Sequence, residues 1–91
     1  MVEYRPYKDF EIDSNSVIRE FDEKIDPIEL MWHRDREDRV IEAIGYTDWK
    51  IQLDNSLPID LNSRKIFIEK YVWHRAIKGS GSLKVKITKS V

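Results

Sequence analysis

The chain has 91 residues, enough for one small domain and too few for a two-domain enzyme. Hydrophobic residues make up 41% and charged residues 36%, a globular balance, and the absence of cysteine excludes both a disulfide framework and a thiolate zinc site. Sixteen Lys and Arg against seventeen Asp and Glu leave a net charge of −1, which gives no nucleic-acid footprint, although residues 1–30 carry −5 and residues 31–91 carry +4.

No apolar run is long enough to span a membrane, so no membrane partner is expected. Met1-Val2-Glu3-Tyr4-Arg5-Pro6 lacks the apolar stretch of an export signal, and a cytoplasmic protein is expected.

In chain order, the first segment with a pattern is Ser16-Val17-Ile18-Arg19-Glu20-Phe21. Its letters suit a short helix capped by Ser16 or an edge strand, and the pattern alone leaves both open. Pro27 interrupts it and predicts a new strand over Ile28-Glu29-Leu30-Met31-Trp32. Period-two alternation then recurs in Lys50–Asp54, Ile59–Leu61, Ile66–Glu69 and Leu83–Thr88, each a strand with one wet face. Turn residues punctuate them at Gly45–Asp48, Asp54–Ser56, Leu61–Ser63 and Lys78–Ser82. Gly79-Ser80-Gly81 reads as a hairpin turn, since no helix pattern follows to make it a phosphate loop. Many short strands at this spacing point to an all-β sandwich or barrel in a single domain, 1–91. Residues 28–88 are its core, and residues 1–27 pack on it or swap to a neighbour.

Both histidines occur in one repeated tripeptide, Trp32-His33-Arg34 and Trp73-His74-Arg75. On a strand, His33 and Asp35 point to the same face, and a paired strand carrying His74 adds a second imidazole. Two imidazoles and a carboxylate form the facial set that suits iron(II) and similar ions with open positions, and Asp38 offers a fourth oxygen. The plainer reading makes the histidines hydrogen-bonded polar residues and makes Arg34-Asp35-Arg36-Glu37-Asp38-Arg39 a solvated salt-bridge loop. Trp32 and Trp73, one residue from each histidine, are expected to face away and to pack. Trp49, Ile51 and Leu53 share a core face, leaving Gln52 on the other. Arg39 and Arg75 have the guanidinium fork that grips carboxylate or phosphate.

The segment from Ser63 to His74 resembles the second conserved motif of the cupin family of small β-barrels. Counting back from His74 places Tyr71 at that motif's second glycine, Glu69 at its proline and Ser63 at its first glycine. The spacing fits, and only the histidine keeps its identity. His33 matches the first histidine of the first cupin motif, Asp35 replaces its second, and counting back from Gly45 places Asp38 at its glutamate across a shortened gap. The stretch 30–87 is similar to short uncharacterised cupin-like proteins of bacteriophages, especially phages of marine bacteria.

The resemblance implies an antiparallel cupin barrel or jelly roll with one divalent metal (Fe, Mn, Ni or Zn) held by His33, Asp35, Asp38 and His74. Exchange of a histidine ligand for Asp35 favours harder ions such as Fe(II) or Mn(II). A small polar or anionic ligand would enter the barrel mouth, with Arg39, Gln52, Tyr71 and Arg75 as candidate contacts. Tyr71 beside His74 is reminiscent of cupin sugar epimerases, whose much longer chains carry a nucleotide-sugar pocket that this chain has no room for. No acid, base or oxyanion donor is assigned. The alternative is a metal-free interaction or structural module, such as a phage accessory protein. A chain this small with open strand edges gains from covering one, so a homodimer is expected.

Overall fold

The computed structural model describes residues 7–62 and 64–90, so Met1–Pro6, Ser63, Val91 and the sequence expectations attached to them lie outside the described residues. The described residues form eight strands: β1 (Tyr7–Glu11), β2 (Ser16–Phe21), β3 (Arg39–Ala43), β4 (Lys50–Leu53), β5 (Ile59–Asp60), β6 (Lys65–Ile68), β7 (His74–Ile77) and β8 (Leu83–Lys89). A large antiparallel sheet runs in the order β1-β2-β8-β3-β6, and a small one in the order β5-β4-β7. The sheets do not close into a continuous barrel; the arrangement is a two-sheet jelly roll. No helix among the described residues is long and apolar enough to cross a membrane.

Alternation decides which face each strand buries. In β8, Leu83, Val85 and Ile87 are buried while Lys84 is exposed, and in β6 Ile66 and Ile68 are buried between exposed Lys65 and Phe67. Register brings these side chains onto one face, with Ile41 of β3 opposite both Ile66 and Ile87. From the small sheet come Ile51, and beside it Trp49 and Leu61, to complete the core. Trp49 is fully buried because its indole N–H finds a partner, donating to the Gly81 carbonyl at 3.1 Å.

Three local expectations are corrected. Ile28–Trp32 is not a strand: Asp26 caps a 3₁₀ turn at Pro27–Glu29, accepting from the Ile28 N–H at 3.1 Å, and proline at the first position favours that start. Ser16–Phe21 is a strand, and it is interior rather than at the edge, pairing with β1 on one side and β8 on the other. Gly79–Gly81 closes no hairpin. β7 pairs with β4, while β8 pairs with β2 and β3, so this loop carries the chain from the small sheet to the large one. The Asp48 carboxylate anchors it by accepting from Ser80 N–H at 2.9 Å and from Ser80 Oγ at 2.8 Å.

Candidate metal centre

The two Trp-His-Arg tripeptides meet each other. His33 and His74 form an antiparallel bridge in which His33 N–H donates to the His74 carbonyl at 2.9 Å and His74 N–H returns the bond at 2.8 Å. Directly opposed residues share a face, so both imidazoles project the same way, with ring centroids 4.3 Å apart. The same pairing sets each tryptophan against the other copy's arginine on the opposite face. Arg75 lies over Trp32 at 4.8 Å and Arg34 over Trp73 at 5.1 Å. The tryptophans thus face away from the histidines as expected. They remain 40% and 42% exposed, each packed under a guanidinium rather than between the sheets.

Backbone carbonyls fix the histidine tautomers. Nδ1 of His33 lies 3.0 Å from the Met31 carbonyl and Nδ1 of His74 lies 2.8 Å from the Val72 carbonyl, so each Nδ1 carries the proton and donates. A neutral imidazole so oriented presents the Nε2 lone pair to the cavity, as metal-ligating histidines do. Asp35 Oδ2 lies 3.2 Å from His74 Nε2, yet it is buried with no hydrogen-bond partner. Two lone pairs therefore face each other, which requires a cation between them: a proton or a metal ion. The donor atoms of His33, Asp35 and His74 all lie within 4.8 Å of one another. Donors held at bond lengths of about 2.0–2.2 Å from one first-row ion lie about 3 Å from each other, which modest side-chain closure from that span reaches. The residues fit the ion.

No protein-family model and no curated protein matches the chain. Solved structures do. A protein from Neisseria meningitidis superposes with TM-score 0.64 at 18% identity, over 99% of this chain and 89% of the other. A cupin domain from Bordetella pertussis superposes with TM-score 0.61 at 16% identity, over 99% of this chain and all (100%) of the other. The chain has a cupin fold.

Within that cupin fold a cavity of about 320 Å³ opens beside the three donors, lined by Phe21, Leu30, Met31, His33, Asp35 and Arg39 among others. A narrower apolar extension of about 60 Å³ continues inward past His74 to Ile51, Val85 and Ile87. Partial burial pushes the His33 pKa below the ordinary histidine value, against the opposing pull of the Met31 carbonyl. Burial alone would raise Asp35, but contact with His74 and the charge of Arg39 outweigh it and hold the carboxyl below the ordinary aspartate value. Arg39 lies 3.4 Å from Asp35 Oδ1 and 2.8 Å from Glu37 Oε1, so it steadies the Asp35 carboxylate from the side.

The other candidates lie elsewhere. Asp38 is outside the three-residue group: its carboxylate accepts from the Lys70 N–H at 2.8 Å and braces the turn after β6. Gln52 and Arg75 bond each other at 2.9 and 3.1 Å across β4 and β7, on the face opposite His74. Tyr71 is exposed; its N–H donates to the Asp35 carbonyl at 2.8 Å, and its backbone is left-handed at φ 66°.

One cavity residue that motif reasoning passes over is Arg19 of β2, half-buried on the same face as Phe21. Once Ser16–Phe21 is read as a strand, Val17, Arg19 and Phe21 share its apolar face. A cation there is the signal that points to it.

Proposed function

We propose that this cupin-fold protein binds one divalent first-row metal ion through Nε2 of His33, Nε2 of His74 and Asp35 Oδ2, and presents it to a small ligand in the cavity. The observation that carries the reading is the buried Asp35 oxygen with no hydrogen-bond partner, 3.2 Å from an imidazole nitrogen whose proton lies on the other side of its ring. Two imidazoles and a carboxylate with open positions favour Fe(II) or Mn(II) over softer-site ions, with Ni and Zn as competitors. Bound there, such an ion supplies a Lewis-acid centre. The chain's own part is to hold the ligand tautomers through Met31 and Val72, to steady Asp35 through Arg39, and to give the cavity an apolar wall with Phe21 and Leu30.

The test is metal analysis of protein purified without a His-tag or chelator, beside His74→Ala. About one equivalent of metal in the wild type and none in the variant is expected. Less than about a tenth of an equivalent, unchanged after metal is added back, would overturn the reading.

A metal-free interaction module is the second reading. The observation favouring it is the same contact, which a proton on His74 would convert into an ion pair. That module has no chelator-sensitive stability, whereas the metal-bound protein does.

A further inference from the structure

The face of the large sheet turned towards the core is apolar at its centre, and charged residues stand around that centre: Arg19 opposite Asp9 of β1, and Arg39 opposite Lys89 of β8. Arg19 stands opposite Val85 in the β2–β8 register, and Arg39 stands opposite Ile68 in the β3–β6 register. Both side chains are only 14% exposed, and both line the cavity that holds His33 and Asp35. A guanidinium so far removed from water is costly unless its donors are satisfied, and the acids beside these two, Asp9 for Arg19 and Glu37 and Asp35 for Arg39, meet only part of each fork. Arg19 forks onto Asp9 through Nε at 2.8 Å and Nη2 at 3.0 Å, and its guanidinium stacks on Tyr7 at 3.7 Å. Arg39 places Nε and Nη2 on Glu37 Oε1 at 3.2 and 2.8 Å. In both, Nη1 has no hydrogen-bond partner among the described residues. Both guanidiniums therefore line the cavity with donors to spare.

We infer that Arg19 and Arg39 form a carboxylate clamp and that the cavity takes a short-chain monocarboxylic acid. Charge argues against more than a monoanion. Glu29 and Asp35 in the lining, with Asp9 and Glu37 on the guanidiniums, offset two arginines and a divalent ion, so nothing is left to balance a second carboxylate. This step rests on the metal reading, while the arginines stand with or without the ion. Size argues for a short chain: the apolar extension past Ile51, Val85 and Ile87 is about 60 Å³ against about 320 Å³ for the cavity that leads to it.

The experiment is calorimetric titration of the protein, as purified and after chelator treatment, with butyrate, its neutral isostere butyramide, and inorganic phosphate. Butyrate is expected to bind at least about tenfold more tightly than butyramide. Arg19→Gln is expected to weaken butyrate by about tenfold while its metal content stays that of the wild type. Arg19→Lys keeps the charge without the fork; it should weaken butyrate too, and it serves if the Gln variant does not fold. The clamp is overturned if butyrate and butyramide bind alike, if the Arg19 variants bind butyrate as the wild type does, or if phosphate binds more tightly than butyrate. Arg19-dependent butyrate binding by protein that takes up no metal upholds the clamp and removes the metal reading. No butyrate binding in either form removes the clamp whatever the metal content.

Discussion

His33 and His74 sit opposite each other at the centre of two antiparallel copies of one tripeptide, their ring centroids 4.3 Å apart. Antiparallel pairing reads one copy forwards and the other backwards, so histidine meets histidine on the inner face and tryptophan meets arginine twice on the outer. The repeat is thereby explained by geometry: the same three letters build the donor pair and the cover on its back.

Asp35→Asn separates the needs of a metal site from those of a metal-free protein. The amide N–H of Asn donates to His74 Nε2 and removes the clash of lone pairs, while a poor metal ligand replaces a good one. At about pH 8.5, where histidine side chains are neutral, the variant should bind no metal and unfold about 1 kcal/mol later than chelator-treated wild type. Urea unfolding of both proteins in chelator reads this directly. A variant less stable by that amount would mean that the pair is already bridged by a proton.

The pKa directions set an acid limit. His33 is depressed in the folded state, so between its folded pKa and the ordinary value of about 6.5 the unfolded chain binds more protons, and stability drains as pH falls through that window. Asp35 is also depressed; its contribution is present above the ordinary aspartate value and is lost as pH falls through its lower folded pKa. Chelator-treated protein should therefore lose stability in two stages on acidification, the histidine stage first. His33→Gln should abolish the first stage and leave the second, and a profile unchanged in that variant would remove the assignment.

Tyr71→Gly should stabilise the fold. Tyr71 adopts φ 66°, a left-handed backbone that costs a side-chain-bearing residue about 1 kcal/mol, and its ring is too exposed to repay much. The midpoint in urea should rise by the equivalent of up to about 1 kcal/mol, less the extra entropy that glycine gives the unfolded chain. A fall in the midpoint would show that the tyrosine ring makes contacts worth more than the strain.

Gly79→Ala should do the reverse. A Cβ at Gly79 would lie 2.8 Å from the carbonyl carbon of Asp48 and 2.8 Å from the nitrogen of Trp49, both backbone atoms, and would also collide with Asp48 Oδ1. The expected loss is about 1–3 kcal/mol, with metal content retained, because the loop between the sheets would have to open. Circular dichroism melts compared with the wild type measure it.

The strands that alternate cleanly were legible: Lys50–Asp54, Ile66–Glu69 and Leu83–Thr88 correspond to β4, β6 and β8. β3 was not, because Arg39-Val40-Ile41-Glu42-Ala43 puts apolar Val40 on the outer face and charged Arg39 on the inner, which breaks the period. β1 was hidden by its charges, and Pro27 signalled a 3₁₀ turn as readily as a strand start. For the candidate site, the shared side of His33 and Asp35 follows from spacing, but the pairing of His33 with His74 is a long-range contact that no local pattern encodes. Asp38 shows the limit of counting: three positions after Asp35 it serves the Lys70 amide instead. Arg19 was missed because its segment read equally well as a helix.

The three donor side chains also have a mechanical meaning. His74 opens β7 in the small sheet, while His33 and Asp35 lie on the strap leading directly into β3 of the large one. In a chain without cysteine, an ion gripped by all three would act as a tie-rod between the two halves of the sandwich. Whatever tightens or slackens that grip would change the spacing of the sheets and, with it, the width of the cavity mouth.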